Sequence, residues 1–227
     1  MTKICIIGDS HTGALFKGWR LISAEFRDLD LTFFAGPRNG YAEVVVKEKS
    51  RLVTSSAALR KGWRISSGQT NFIPNTFNAY VVSSLGLSFG PFLLHWEAKR
   101  PVRNLSAFAD KVVRRTLTFQ TISLLRQITD APILFLGSPL PPTEHYSIEM
   151  GTADAQTYQD AFKTACRQIG TELNAEFLEQ PPETVAENLV TTDMRYFSGV
   201  EGDRFHMNKD YGAITMRAVF SMLSTRV

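Results

Sequence analysis

Cysteine is scarce in this sequence: Cys5 and Cys166 are the two present. One falls in an apolar run and the other in a helical pattern. Two cysteines make no disulfide framework, and metal-ligand spacing is missing, so both read as core thiols and no metal or other cofactor is implied. Long apolar runs are also missing. No stretch approaches the roughly 20 residues that span a bilayer. After Lys3 only four apolar residues follow, enough for a strand and too few for a secretory leader. Nor does one sign of charge dominate. Lys and Arg number 25 against 22 Asp and Glu, and a net charge of +3 is too small and too scattered to argue for a nucleic-acid partner. The one local concentration of basic residues, with Arg103, Lys111, Arg114 and Arg115, reads as a solvated helix face. Internal repeats and low-complexity tracts are absent. These deficits lead us to expect a cytoplasmic chain without a membrane span or nucleic-acid partner.

What is present is an ordinary globular composition, 44% hydrophobic and 21% charged over 227 residues, sufficient for one α/β domain with a proper core. The informative stretch is MTKICIIGDSHTGA at the start. Its apolar run Ile4-Cys5-Ile6-Ile7 suits a buried strand of a parallel sheet, ended by Gly8-Asp9-Ser10-His11. Ala14, Leu15, Trp19, Ile22 and Phe26 then recur at helical spacing. Ser10 is thus placed at the carboxyl end of a central strand, where open α/β sheets bind ligands. Two readings stay open: Asp9 or Ser10 caps the helix, or Ser10 is a nucleophile.

Near the other end stands Gly202-Asp203-Arg204-Phe205-His206. Asp and His three apart on a loop can fold so that the carboxylate reaches one ring nitrogen and leaves the other to accept a proton from a serine. An early GDS serine followed by a late D-x-x-H resembles the SGNH, or GDSL-like, hydrolase family. The resemblance spans nearly the whole chain, because its two anchors lie at the two ends. It implies a serine esterase with Ser10, Asp203 and His206 as catalytic residues, no cofactor, and a flavodoxin-like strand order 2-1-3-4-5. It also implies an oxyanion hole built from the backbone of Ser10 and of a glycine after the second strand. Gly36 is the best match for that glycine and Gly40 the second, though either could be a plain turn glycine. Where the family shows G-x-N-D, this chain has Gly86-Leu87-Ser88-Phe89. Ser88 therefore stands in place of an asparagine, and Asn39 or Asn71 is an alternative donor from a loop.

Between the anchors, strands are expected at Leu29–Ala35, from Ala79 to Gly86, at Ile133–Leu136 and at 175–178. Helices are expected over 105–128, 154–173 and 212–224. Residues 41–77 read as an inserted β-hairpin or meander, with Val44-Val45-Val46, Arg51-Leu52-Val53-Thr54 and Trp63-Arg64-Ile65-Ser66 as its β-prone pieces. Gly90 to Arg103 reads as irregular. It carries His95, taken as a structural histidine, and His145 falls in a later exposed loop. The expected architecture is a single-domain three-layer α/β/α sandwich with a five-stranded parallel sheet. The expected function is removal of an acyl group, such as acetyl, from a carbohydrate or small metabolite. Transfer of that group to an alcohol and a non-catalytic binding role are the alternatives.

Overall fold

The structure, a computed structural model, describes residues 1–68, 70–98, 104–142, 150–203 and 205–225. Arg103 and His145 lie outside them. The centre is a five-stranded parallel sheet of β1 (Thr2–Gly8), β2 (Leu29–Ala35), β6 (Ala79–Ser83), β7 (Ile133–Leu136) and β8 (Glu176–Leu178) in the order β2-β1-β6-β7-β8. Taken as core strands one to five, this is the expected 2-1-3-4-5. β1 is an interior strand, with Ile7 opposite Phe34 on one side and Val82 on the other. Its last five residues are buried, and so is all of β6, which explains why both read as continuous apolar runs.

Helices cover both faces. On one, α1 (Thr12–Ile22) and α7 (Lys209–Leu223) press Leu15, Ile22, Met216, Val219 and Phe220 against Ile4, Ile6 and Val81. On the other, α2 (Ala57–Ser67), α3 (Gly90–Glu97), α4 (Leu105–Arg114), α5 (Leu117–Leu125) and α6 (Thr152–Glu172) enclose the larger core around Tyr80, Phe92, Phe135 and Ile169. Trp19, Phe26 and Phe108 pack at the margins of these cores and are half-buried, whereas Leu125 and Phe162 are buried. The basic residues of α4 behave as a solvated face, since exposed Arg114 pairs with Asp110 and Glu172.

Three local expectations are corrected. Trp63 to Ser66 is helical: Ser56 accepts from the Leu59 N–H to start α2, and Gly68, at φ 70°, ends it. Around this helix, β3 (Val44–Lys47), β4 (Arg51–Thr54) and β5 (Ile73–Pro74) form a separate antiparallel sheet. The stretch after Gly90 is helical rather than irregular, because Pro91 occupies the first turn, where its missing N–H costs nothing. The long pattern from Leu105 breaks at Arg115-Thr116 into α4 and α5.

One contact decides how the two ends of the chain meet. α1 and α7 cross at Gly18 and Gly212. A Cβ on Gly18 would stand 2.1 Å from the Gly212 carbonyl carbon, and one on Gly212 would stand 1.9 Å from the Ala14 oxygen. Only glycine lets the two backbones touch, and the crossing brings the start of α1 beside the loop that precedes α7.

Candidate active site

At the end of β1 the turn is organised by Asp9, which is buried. Its Oδ1 accepts the His11 N–H at 3.2 Å, its Oδ2 accepts Nε–H of Arg38 at 2.8 Å, and its carbonyl accepts the N–H and hydroxyl of Thr12 at 3.1 and 2.6 Å. Asp9 therefore holds the helix entry. Ser10 is exposed, and among the described residues its hydroxyl has no hydrogen-bond partner. It stands one turn ahead of α1, at the positive end of that helix's dipole.

The loop before α7 is pinned on both sides of Asp203 and His206. An isolated bridge pairs Phe197 with Met207, the Ser198 N–H donates to the His206 carbonyl at 2.9 Å, and Asn208 caps α7 through the N–H groups of Asp210 and Tyr211. Within it, Asp203 Oδ1 lies 2.9 Å from Nδ1 of His206. The carboxylate also accepts the N–H groups of His206 and Phe205 at 3.1 and 3.3 Å, and the Ser198 hydroxyl at 3.0 Å. Burial pushes this acid up, but these donors outweigh it and hold Asp203 down at about 2. Held by its Nδ1 partner, the His206 ring is fixed in orientation, with Nε2 left for other work.

Ser10, Asp203 and His206 border one open cleft of about 440 Å³, together with Ser198, Lys17 and Lys209. Ser10 and His206 make no hydrogen bond with each other. A second cavity of about 340 Å³, between α6 and the loop after β8, includes none of the three.

The expected oxyanion donors fare differently. The Gly36 N–H continues the ladder by donating to the Gly8 carbonyl at 3.2 Å, and the Gly40 N–H donates to the Pro37 carbonyl at 3.1 Å. Both amides are thus engaged by backbone carbonyls. Ser88 is half-buried and Asn39 is exposed, and neither borders the cleft. Two residues beside the site carried no sequence signal of their own. Arg38, tied to Asp9, runs along the sheet edge so that its Cδ lies 3.9 Å from where a Gly86 Cβ would be. The His11 ring lies 5.6 Å from the His206 ring, tilted at 47°, with its Nδ1 buried and unpartnered. Burial pushes His11 below the ordinary histidine range; His206 and Arg38 add to the effect, and the carboxylates of Asp9 and Asp203 oppose it. His95 packs edge-on against Phe108, with its Nδ1 buried and unpartnered.

No known family profile matches the chain, and no curated protein does. Solved structures do. An extracellular lipase from Streptomyces rimosus aligns over 97% of this chain and 99% of its own, at 10% identity and a TM-score of 0.57. The periplasmic domain of a lipopolysaccharide acetyltransferase from Salmonella ser. Paratyphi A aligns over 97% and 83%, at 13% identity and 0.51. A lipase from a goat rumen metagenome aligns over 97% of both chains, at 11% identity and 0.50. These proteins share the α/β fold of this chain. Ser10 follows β1, and the Asp203–His206 pair precedes α7, the last helix. Among the described residues no helix is long and apolar enough to cross a membrane.

Proposed function

We propose that the chain is a serine-dependent acyl hydrolase that acts on esters of a carbohydrate or small metabolite. The observation that supports this most is the Asp203–His206 pair, closed at 2.9 Å, on the cleft where Ser10 stands with an unengaged hydroxyl. In this reading Ser10 Oγ attacks the acyl carbon and Nε2 of His206 takes its proton. Asp203, held anionic, orients the ring and stabilises the imidazolium. Collapse of the tetrahedral intermediate breaks the bond to the alcohol, which leaves with the proton from His206. Water then adds to the acyl-enzyme, giving its proton to His206, and the acid departs as Ser10 regains a hydrogen. The developing oxyanion is met by the Ser10 N–H, at the start of α1. His11, kept neutral by burial, adds no positive charge beside the imidazolium.

A second reading has the acyl-enzyme passed to an alcohol instead of water. It is favoured by the likeness to a domain of an acetyltransferase, and an excess of transfer product over free acid would distinguish it. Both readings need Ser10. A fluorophosphonate probe should label the wild-type protein and leave Ser10→Ala unlabelled, and p-nitrophenyl ester hydrolysis should vanish in that variant. A folded wild-type protein that neither takes the label nor turns over any ester would overturn the proposal and leave a binding role.

A further inference from the structure

A second hollow opens on Ser10 from the side opposite the cleft. It is a groove of about 660 Å³ between α1 and α2, bordered by Ser10, Gly13, Phe16, Phe33, Pro37 and Ile65. Phe16 is 44% exposed and Ile65 70%, so two large apolar side chains are left open to solvent along one groove. Isolated apolar residues on a surface are unremarkable, but an apolar concavity that ends on an unengaged serine is a place where carbon meets a nucleophile.

Gly13 is a second, independent sign. It lies in the first turn of α1, its φ is not positive, and a Cβ there would meet nothing within 4 Å. Neither backbone nor packing calls for glycine, and helices favour alanine at such a position. Gly13 borders the groove and the cleft alike. The missing side chain leaves the passage between them open over Ser10.

The chemistry orients a substrate across that passage. The alcohol oxygen must receive its proton from His206, and His206 lies on the polar cleft. The acyl chain of an ester attacked by Ser10 then points the other way, into the groove. Resting on the reading of Ser10 as nucleophile, we infer that the groove receives the acyl chain and that the substrate is an ester of a medium-length or longer fatty acid, with its polar alcohol in the cleft.

The test measures kcat/KM for p-nitrophenyl acetate, butyrate and octanoate, each divided by its own rate with hydroxide. A methylene fully withdrawn from water is worth about four-fold, so even partial burial should favour octanoate over acetate by about ten-fold or more. Ile65→Glu should cut that ratio by about five-fold or more, since it places a charge where the chain would lie. Leu94→Glu alters an exposed apolar residue of α3 that borders neither hollow, and should leave the ratio as it is. A ratio that is flat or falls with chain length while the probe labels Ser10 overturns this inference and spares the hydrolase reading. A ratio indifferent to Ile65→Glu overturns it as well. No labelling and no turnover of any ester overturns both.

Discussion

His11 is the residue at which pH should first be felt. Its folded pKa lies below the ordinary histidine value of about 6.5, with burial as the leading cause. As pH falls through that value the unfolded chain takes up a proton that the folded one refuses. Stability is therefore full above about 6.5 and declines as pH drops toward the lower folded value. Asp203 works in a different window. Its depressed pKa makes a contribution that is complete above about 3.9, the ordinary aspartate value, and is lost only as pH falls toward about 2. Between pH 7.5 and 5 the two effects separate. Urea unfolding over that range should show wild type losing stability faster than His11→Asn, whose slope flattens because the buried imidazole is gone. Equal slopes would mean that His11 ionises in the folded protein as freely as in the unfolded one.

Among the elements, the turn after β6 is held against its own preference. Ser84, Leu85 and Gly86 have φ of 66°, 46° and 88°, three left-handed residues in succession, of which only the glycine takes that conformation freely. The Thr118 N–H and hydroxyl, at the start of α5, fasten the turn through the carbonyls of Leu85 and Ser84. The Ser84 hydroxyl is buried without a partner. Ser84→Gly should remove both the left-handed strain and the orphaned hydroxyl, and raise stability by about 1 kcal/mol after the entropic cost of glycine. A thermal melt that falls would show that the serine side chain contributes packing that outweighs both. This turn also explains what sequence reading missed nearby. The helical pattern from Leu105 looks continuous because Val113, Leu117 and Ile122 are all apolar, yet the chain breaks at Thr116 so that Thr118 can reach the turn. α2 was misread for the opposite reason. Trp63 and Ile65 favour strands locally, while Leu59 and Trp63, both fully buried and one turn apart, carry the helical period that prevails. Of the five core strands, β1, β6 and β7 were the most legible, because each is a short, largely apolar run.

At the level of the whole molecule, the pieces of the site differ in how far sequence alone could reach them. Ser10 and the Asp203–His206 pair are local patterns, readable wherever they sit. The donors around them are not. Whether the Gly36 amide is free depends on a ladder with Gly8, and the place of Arg38 depends on its pairing with the buried Asp9. What unites the local patterns is the glycine crossing of α1 and α7. Gly212→Ala must push the two helices apart, and should cost about 1–3 kcal/mol of stability. At temperatures where the variant is still folded, fluorophosphonate labelling of Ser10 should slow, because His206 no longer meets it correctly. Labelling at the wild-type rate would show that the loop finds its place without the crossing. The same contact sets a timetable. On the ribosome Ser10 is made first, and the carboxylate and histidine that would activate it come nearly two hundred residues later. Until α7 docks against α1, the serine is an ordinary alcohol in a nascent chain. Reactivity therefore waits on one of the most sequence-distant contacts in the fold, and in refolding it should return with the slowest phase.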